Sequence, residues 1–319
     1  MRVLSGGSGS SSSSKFDQPY CLESTNDPPI TDADYLNFRN NILTKTVPTS
    51  SSPSGSTTVT YLHVPPPSPS PYPPLILLHG FDSSSLEYRR LLPLLSTLSL
   101  EAYAVDVPGW GFGDLTLKKF SASVKIEVIN SFVSQLKPDG NVVYVGASLG
   151  GAVALNLSAS EKKPLILLDA QGFTDGVGPQ PPAMFLGLGL DVLKARWLRR
   201  YANVLSYYDD EKFATEDAIT IGCLHTRREG WKEAQRSFIM SGGFEPTKDV
   251  KKVGENGGET LVIWGEEDEV LPKDFPDMFK EKIPQATIKY VKECGHVPHL
   301  EKSEETAAAI LEFVKGLKK

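Results

Sequence analysis

The stretch NVVYVGASLGGAVALNL, residues 141–157, decides the fold. It begins with a short apolar run that is typical of a buried strand and continues with residues that favour a helix. Ser148 stands at the change between the two, at the centre of a Gly-x-Ser-x-Gly motif. Such a turn forces its central residue into strained backbone angles, and neighbouring glycines let the helix approach closely. The stretch therefore predicts a Ser148 hydroxyl held above the end of a strand, where open α/β sheets bind ligands.

Outward from this turn, short apolar segments alternate with helical ones. The apolar segments alternate little with polar residues, which is expected for strands covered on both faces of a mostly parallel sheet. Strands are predicted at 74–80, 101–107, 141–147, 164–170, 260–266 and 286–292, and helices at 118–136, 149–159 and 303–317. Two β-branched segments, 43–47 and 57–64, predict an earlier hairpin around a loop rich in Pro, Ser and Gly. The predicted fold class is α/β, with helices flanking the sheet.

No strand is predicted between Ala170 and Thr260, an interval far too long for an ordinary connection. We interpret most of this interval as an inserted helical cap. The start of the chain has little apolar periodicity, although Tyr35, Phe38 and Ile42 are placed to pin one short turn against the core. The predicted domains are a flexible N-terminal segment (1–42), a first core segment (43–171), the cap (172–258) and a second core segment (259–319).

Within the predicted cap, apolar residues recur every three or four positions and form one helical stripe. They are Leu186, Leu190, Leu193, Trp197 and Tyr201. One interpretation is a cap helix that packs on the core, and the other is a lid that touches a membrane or acyl chains. Phe185 and Tyr208, together with Leu186 and Trp197, predict an apolar wall for a small-molecule substrate. The sequence identifies no charged anchor for that substrate.

Composition excludes several classes of function. The chain has 33 basic and 39 acidic residues, so it offers no broad cationic field to a nucleic acid. Its three cysteines are far apart, without the spacing of a metal site or a disulfide framework. No apolar run reaches the length of a membrane span, and no secretory signal is recognisable. We expect a soluble intracellular protein, whose serine-rich residues 1–16 fit either an organellar transit peptide or a flexible tail.

A nucleophilic serine requires a base, and the base requires an orienting acid. His296 follows the last predicted strand and so can reach over the strand ends, whereas His299 is expected to support the same loop. His63 lies in a peripheral strand and His225 lies in the cap. His296 is therefore the predicted base.

Four carboxylates compete for the role of the acid. Glu266, Glu267 and Asp268 follow one buried strand, and Asp169 ends another. All four also have an ordinary interpretation as solvated or loop-capping groups. Residue type and spacing leave this choice open.

Five segments, in this order along the chain, resemble the signatures of the α/β-hydrolase superfamily. They are LLHGF (77–81), DVPGWGFGD (106–114), GASLGG (146–151), WGEEDEVLP (264–272) and CGHVPHLE (294–301). The resemblance covers residues from about 57 to 319, with a cap where the long insertion lies. LLHGFDSSSLEYR is similar to the start of plant-type members, which are often plastid-targeted. Chloroplast and cytoplasm are therefore the two locations expected.

The resemblance assigns roles to single residues. It implies that Asp268 is the acid and His296 the base, and the chain order Ser, Asp, His matches the fold. It further implies an oxyanion hole formed by the backbone N–H groups of Phe81 and Leu149. Other residues of the same motifs are implied to be structural: His79 braces its loop, whereas Asp106, Gly109, Gly111 and Asp114 shape the pocket wall.

The implied activity is hydrolysis of an ester, most simply a carboxylic ester, through an acyl-serine intermediate, with no cofactor and no metal. Epoxide hydrolases and haloalkane dehalogenases use an aspartate where this chain has Ser148, and the His-Gly-Gly-Gly entrance of many lipases is absent. Two alternatives remain open: acyl transfer or another triad reaction of the same fold, and a ligand receptor without catalysis.

Overall fold

The computed structural model describes residues 18–25, 27–178 and 183–317, in the last range with side chains from residue 187 onward. The described part of the chain folds around a central eight-stranded sheet. Its strands have the spatial order β1-β2-β4-β3-β5-β6-β7-β8. The strands are β1 (Leu43–Pro48), β2 (Ser56–His63), β3 (Leu75–Leu78), β4 (Ala102–Val105), β5 (Val143–Ala147), β6 (Leu165–Leu168), β7 (Thr260–Gly265) and β8 (Thr287–Val291). The pairs from β4 to β8 are parallel, and β1 and β2 join them antiparallel. The predicted mostly parallel α/β sheet is therefore confirmed.

Helices alternate with these strands. They are α1 (Ala33–Phe38), α2 (Leu91–Thr97), α3 (Ala122–Leu136), α4 (Gly150–Glu161), α5 (Ala183–Leu193), α6 (Arg196–Ser206), α7 (Asp210–Phe213), α8 (Glu216–Cys223), α9 (Trp231–Met240), α10 (Pro246–Asn256), α11 (Phe275–Lys282), α12 (Pro298–Glu301) and α13 (Ser303–Gly316). None of the helices in the described part of the chain combines the length and the hydrophobicity that crossing a membrane requires.

The strands from β3 to β7 are buried along their whole length because apolar side chains cover both faces of the sheet. Successive strand residues point to opposite faces, so Ile76 and Leu78 belong to one apolar layer, with α3 and α4, and Leu77 to the other, with α2 and α13. Strand β8 differs from the prediction of a strand covered on both faces. It is the edge strand, and Lys289 and Tyr290 are exposed.

The N-terminal segment is more ordered than predicted. Residues 1–17 lie outside the described residues, but Tyr35 of α1 is fully buried and its hydroxyl donates to Glu23 at 2.7 Å. Asp32 caps α1 and pairs with Arg89 of the core at 3.1 Å. Tyr35, Phe38 and Ile42 are all buried, as expected for residues that pin a turn against the core, and this ion pair adds a further attachment.

The predicted single stripe of the cap is also wrong. The chain turns between α5 and α6, so residues on opposite sides of the turn no longer share a helical face. Leu190 is buried, but the side chains of Trp197 and Tyr201 are 64% and 58% exposed and do not pack on the core. The side chain of Leu186 lies outside the described residues.

The cap ends earlier than predicted. Val250 and Val253 of α10 are buried in the apolar layer that also contains α4. The side chain of Asn156 in α4 donates to Asp249 of α10 at 2.9 Å. Helix α10 is therefore a core helix, although the sequence analysis assigned it to the cap.

Candidate active site

The turn between β5 and α4 has the strained geometry that its sequence predicts. Ser148 has a φ of +49°, a left-handed conformation that is unusual for a residue with a side chain. A Cβ on Gly146 would lie 2.4 Å from the carbonyl oxygen of Gly150, and one on Gly150 would lie 2.1 Å from that of Leu78. Glycine is therefore required at both positions, and the close approach holds Ser148 above the strand ends.

His296 and Asp268 form a hydrogen-bonded pair. Nδ1 of His296 lies 2.9 Å from Oδ2 of Asp268. Asp268 follows β7 and His296 follows β8, and parallel strands carry both loops to the same edge of the sheet. The other oxygen of Asp268 accepts the backbone N–H groups of Val270 and Leu271, at 2.7 and 3.2 Å. These bonds fix the carboxylate, which in turn orients the imidazole ring.

Asp169, the rival acid, lies next to this pair. It is fully buried at the end of β6 with a φ of +38°, and its Oδ1 accepts the N–H of Gly265 at 2.9 Å. Ligand atoms of Asp169, Asp268 and His296 all lie within 4.8 Å of one another. In this group the Asp268 oxygen and the His296 nitrogen already bond to each other, so the arrangement serves a histidine and its acid better than a metal ion.

The two aspartates have opposite pKa shifts. Burial and the negative charge of Asp268 raise the pKa of Asp169 well above its usual value. Burial acts in the same direction on Asp268, but the hydrogen bond from His296 and the two backbone N–H groups outweigh it and lower its pKa. Of the two carboxyl groups, Asp268 is therefore the one that ionises more readily, and Asp169 is the one that retains a proton more readily. Asp268 is thus the better suited of the two to be the charged partner of an imidazolium.

Ser148 and His296 line one cavity of about 340 Å³ between the sheet edge and the cap. Phe81 lines the same cavity. Within the described part of the chain, the backbone N–H groups of Phe81 and Leu149 donate to no other group. The structure thus brings Ser148, His296 and Phe81 to one cavity, pairs Asp268 with His296 and places Leu149 directly after Ser148. The catalytic roles of these residues and the oxyanion hole stay predictions.

The remaining histidines have structural contacts. Nδ1 of His79 lies 2.9 Å from the Gly80 carbonyl and Nε2 accepts the N–H of Val107 at 3.0 Å, so this neutral ring braces the loop after β3. Burial lowers the pKa of His79, in keeping with a neutral ring. His299 lies with Nε2 2.9 Å from the buried Glu87. His63 stacks on Tyr103 at the far side of the sheet, at 4.3 Å between ring centroids.

The sequence analysis missed a buried polar cluster at the cavity. Arg199, on α6, and His225, in a short 3-10 helix after α8, line the cavity and contact Asp82, which directly follows Phe81. The sequence identified no charged anchor for the substrate, and the structure places the charged side chain of Arg199 in the cavity wall. The one signal in the sequence was the acidic residue beside Phe81, Asp82. No sequence pattern indicated that Arg199 and His225 would contact it.

Two further predictions about the pocket wall are wrong. Trp197 and Tyr208 do not line the cavity and are 64% and 51% exposed. Helix α6 turns Arg199 and Asn203 toward the cavity, on the face opposite Trp197, and Tyr208 lies beyond the end of this helix. The side chains of Phe185 and Leu186 lie outside the described residues.

The motif around Asp106 also lies away from the cavity wall. Asp106 accepts from the Thr60 hydroxyl and from the Ser85 N–H, both at 2.6 Å. Asp114 accepts the N–H of Thr116 at 2.8 Å. Neither these aspartates nor Gly109 and Gly111 line the cavity. They brace the loop between β4 and α3.

The chain is similar to proteins of known family. A model of the alpha/beta hydrolase family matches residues 75–309. The chain is 32% identical over 252 residues to the alpha/beta hydrolase domain-containing protein VTE7 of Arabidopsis thaliana, covering 76% of this chain and 74% of that protein. This similarity confirms the predicted resemblance to plant-type members.

More distant relatives share the fold with varied activities. The chain is 26% identical over 262 residues to a 2-hydroxy-6-oxononadienedioate/2-hydroxy-6-oxononatrienedioate hydrolase of Burkholderia vietnamiensis, covering 76% of this chain and 86% of that protein. A thermophilic esterase from Thermogutta terrifontis superposes with a TM-score of 0.66 at 18% identity, covering 86% of this chain and 98% of that one. At this identity the superposition shows the fold alone.

Proposed function

The chain belongs to the α/β-hydrolase family, and we propose that it is a serine hydrolase that cleaves an ester through an acyl-serine intermediate. The observation that carries the proposal is the His296–Asp268 pair, which shares one cavity with Ser148 at the strained turn. Asp268 is the member of the aspartate pair whose pKa is lowered, whereas the pKa of Asp169 is raised. A serine nucleophile, a histidine base and a charged orienting acid are the parts that acyl transfer requires.

The reaction has two steps. Ser148 Oγ attacks the carbonyl carbon of the ester while Nε2 of His296 takes the hydroxyl proton, and His296 then gives that proton to the departing alcohol. Water, activated by the same ring, hydrolyses the acyl-serine and releases the acid. Asp268 holds the imidazole in position through Nδ1, and the N–H groups of Phe81 and Leu149 stabilise the oxyanion in both steps.

The cavity supports a small or medium substrate that is apolar over most of its length. Its wall includes Leu86, Ile221 and Val270, and its volume of about 340 Å³ lies at the lower end for small-molecule sites. Arg199 adds a charged group on the cap side, beside the polar side chains of Asn203 and His225. We propose a carboxylic ester with an apolar acyl or alcohol part that reaches toward this guanidinium.

The test is turnover of p-nitrophenyl esters of graded acyl length by the wild-type chain and by Ser148→Ala. We expect the wild type to show a burst of p-nitrophenol equal to one acyl group per active site, and Ser148→Ala to show neither burst nor turnover. A Ser148→Ala protein that kept wild-type turnover would overturn the proposal. 2-Hydroxy-6-oxononadienedioate, a compound in the name of the Burkholderia relative, tests in parallel whether this chain cleaves a substrate of that type.

The two alternatives separate in the same experiment. An acyltransferase forms the acyl-serine but passes it to an added alcohol or amine faster than to water. A receptor turns over slowly and retains its ligand tightly. We expect neither behaviour, because the proposal requires water to reach the acyl-serine.

We also propose a chloroplast location. The supporting observation is the serine-rich, acid-free composition of residues 1–16. A fluorescent protein fused behind residues 1–42 should enter chloroplasts in plant cells, and a fusion that stays in the cytoplasm would contradict the proposal.

A further inference from the structure

Asp82 directly follows Phe81, whose N–H is the proposed oxyanion donor. The Asp82 side chain is buried, and its φ of +47° is a left-handed conformation that an L-residue adopts only under constraint. The groups that hold Asp82 therefore fix the residue that follows Phe81 and so restrict the orientation of the Gly80–Phe81 peptide, which carries the oxyanion donor.

The groups that hold Asp82 all come from the cap. Its Oδ1 accepts from Nε2 of His225 at 2.9 Å, Nε1 of Trp231 at 2.8 Å and Nε2 of Gln235 at 2.6 Å. Arg199 pairs with Oδ2 and also donates to the Asp82 carbonyl at 3.1 Å. Helix α6, the 3-10 helix after α8 and helix α9 thus converge on one carboxylate.

The carboxylate carries its charge in the folded protein. Burial would raise its pKa, but the Arg199 charge and the donors from His225 and Trp231 hold it well below the usual value. Hydrogen bonds to a buried charge are stronger than neutral ones, so this cluster is a firm attachment of loop to cap.

On the other side of Phe81 the loop is attached to the core. The N–H of Gly80 donates to Glu87 at 3.2 Å, and the Gly80 carbonyl lies 2.9 Å from Nδ1 of His79. The Phe81 peptide therefore lies between one attachment to the core and one to the cap.

The base loop is attached to the same cap helix. The N–H of His296 donates to the carbonyl of Ser206, the last residue of α6, at 2.8 Å. Glu301 accepts the N–H groups of Gly295 and Asp209, both at 2.8 Å. Helix α6 thus connects the loop of the oxyanion donor to the loop of the base.

We propose that Asp82 is a positioning residue through which the cap sets the oxyanion hole, so that Arg199, His225, Trp231 and Gln235 act in transition-state stabilisation as well as in enclosing the substrate. The proposal rests on the proposed ester hydrolysis. Its effect appears in kcat, because the oxyanion exists only in the transition state and the intermediates.

The test compares variants that change the cluster but leave Phe81 and the triad in place. Asp82→Asn removes the charge at constant size. Trp231→Phe and Gln235→Leu each remove one donor and retain a buried side chain of similar shape. Lys232→Gln is the matched control, because Lys232 lies on the same helix α9 but pairs with Asp191 at the surface.

Rates are expressed per active site, titrated with a fluorophosphonate, so that a loss of folded protein does not count. Loss of a whole oxyanion donor costs on the order of 10²- to 10³-fold in kcat, and we expect Asp82→Asn to approach the lower end of this range with little change in KM. Trp231→Phe and Gln235→Leu should each lower kcat several-fold, and Lys232→Gln should not.

A second readout separates positioning from general loosening. Ser148 Oγ adds to the carbonyl carbon of a trifluoromethyl ketone, its proton passes to His296, and the carbonyl oxygen becomes the oxyanion. The inhibition constant of such a ketone should rise by the factor by which kcat falls.

Unchanged kcat per active site and unchanged ketone affinity in all three cluster variants would overturn the proposal. Should Asp82→Asn not fold, Trp231→Phe and Gln235→Leu decide alone. Failure of the underlying function looks different, because the wild type itself would then show no titratable serine and no turnover.

Discussion

The sheet edge and the cap boundary hold the proposed catalytic groups by different physical means. At the sheet edge the backbone positions Ser148, through a left-handed residue and glycines packed at contacts that no Cβ could occupy. At the cap boundary side chains do the positioning, through the buried carboxylates Asp82 and Glu301 and the donors around them.

The difference predicts where a substitution should abolish turnover and where it should only reduce it. A backbone turn is formed or it is not, and the chemical groups on it are irreplaceable. A carboxylate with several donors loses one bond at a time. Substitutions at the sheet edge should therefore abolish turnover, those at the boundary should reduce it, and those in the cap wall should redirect it.

The base at the sheet edge should give the largest effect. His296→Ala removes the proton acceptor, and loss of such a base costs on the order of 10⁶-fold in kcat in a well-studied serine protease. His299→Gln is the matched change in the same loop and should retain most activity, because His299 contacts Glu87 and does not pair with Asp268. Steady-state kinetics on one ester measure both variants. A loss of activity in His299→Gln without one in His296→Ala would assign the role of the base to His299.

Substitutions of Asp268 and Asp169 should differ sharply in their effect on turnover. Asp268→Asn removes the charge that orients His296, which costs on the order of 10⁴-fold in turnover. Asp169→Asn should cost little, because Asp169 is not bonded to His296 and an amide oxygen at this position can still accept the Gly265 N–H. Turnover measured across pH for both variants tests this ranking. The reverse order would assign the acid to Asp169.

The sheet edge could be predicted from sequence because its signals are local. Gly146, Ser148 and Gly150 specify the turn within five residues, and strand ends place Asp268 and His296 on one edge once the parallel order is known. The choice of Asp268 over Asp169 needed the family resemblance, since both follow buried strands. Burial and hydrogen bonds, which the sequence does not display, separate their pKa values.

The cap boundary could not be predicted because its contacts join distant residues. Asp82 bonds to residues between 117 and 153 positions further along the chain, and no periodic pattern records such pairs. The error at Trp197 has a related cause. A stripe of apolar residues indicates a helical face, but it does not say what covers that face.

The cap wall should change selectivity and leave the chemistry intact. Ile221 of α8 lines the cavity, and Ile221→Ala makes room there for a longer acyl chain. One methylene in an apolar pocket is worth about 1 to 3 kcal/mol. The kcat/KM for a longer ester, divided by that for a shorter one, should therefore rise by roughly ten- to two-hundred-fold in this variant. A series of p-nitrophenyl esters measures this ratio.

Trp197→Ala is the control for the cap wall, since Trp197 is exposed on the opposite face of α6. It should leave the length preference unchanged. A shift as large as that of Ile221→Ala would place Trp197 in the substrate path.

The smallest effect concerns stability at low pH. Burial raises the pKa of Glu87, but the neighbouring His299, whose Nε2 lies 2.9 Å from the carboxylate, helps to hold that pKa at about 2, below its usual 4.5. A group whose pKa is lower in the folded than in the unfolded chain stabilises the fold at any pH above its unfolded pKa. This contribution is lost as the pH falls toward 2. Urea unfolding between pH 5 and 3 should show a shallower loss of stability for Glu87→Gln than for wild type.

Glu281→Gln, at an exposed surface position, is the control for stability and should follow the wild-type slope. Equal slopes for Glu87→Gln and wild type would mean that Glu87 carries no such shift.

The most direct measurement is the site at which a fluorophosphonate binds covalently to the folded wild-type chain. The hydroxyl oxygen of an activated serine displaces fluoride from phosphorus, and peptide mass spectrometry locates the adduct. The account predicts one adduct, on Ser148, formed in proportion to the loss of esterase activity and strongly slowed in His296→Ala. An adduct on a different serine, or none on folded and active protein, would contradict it.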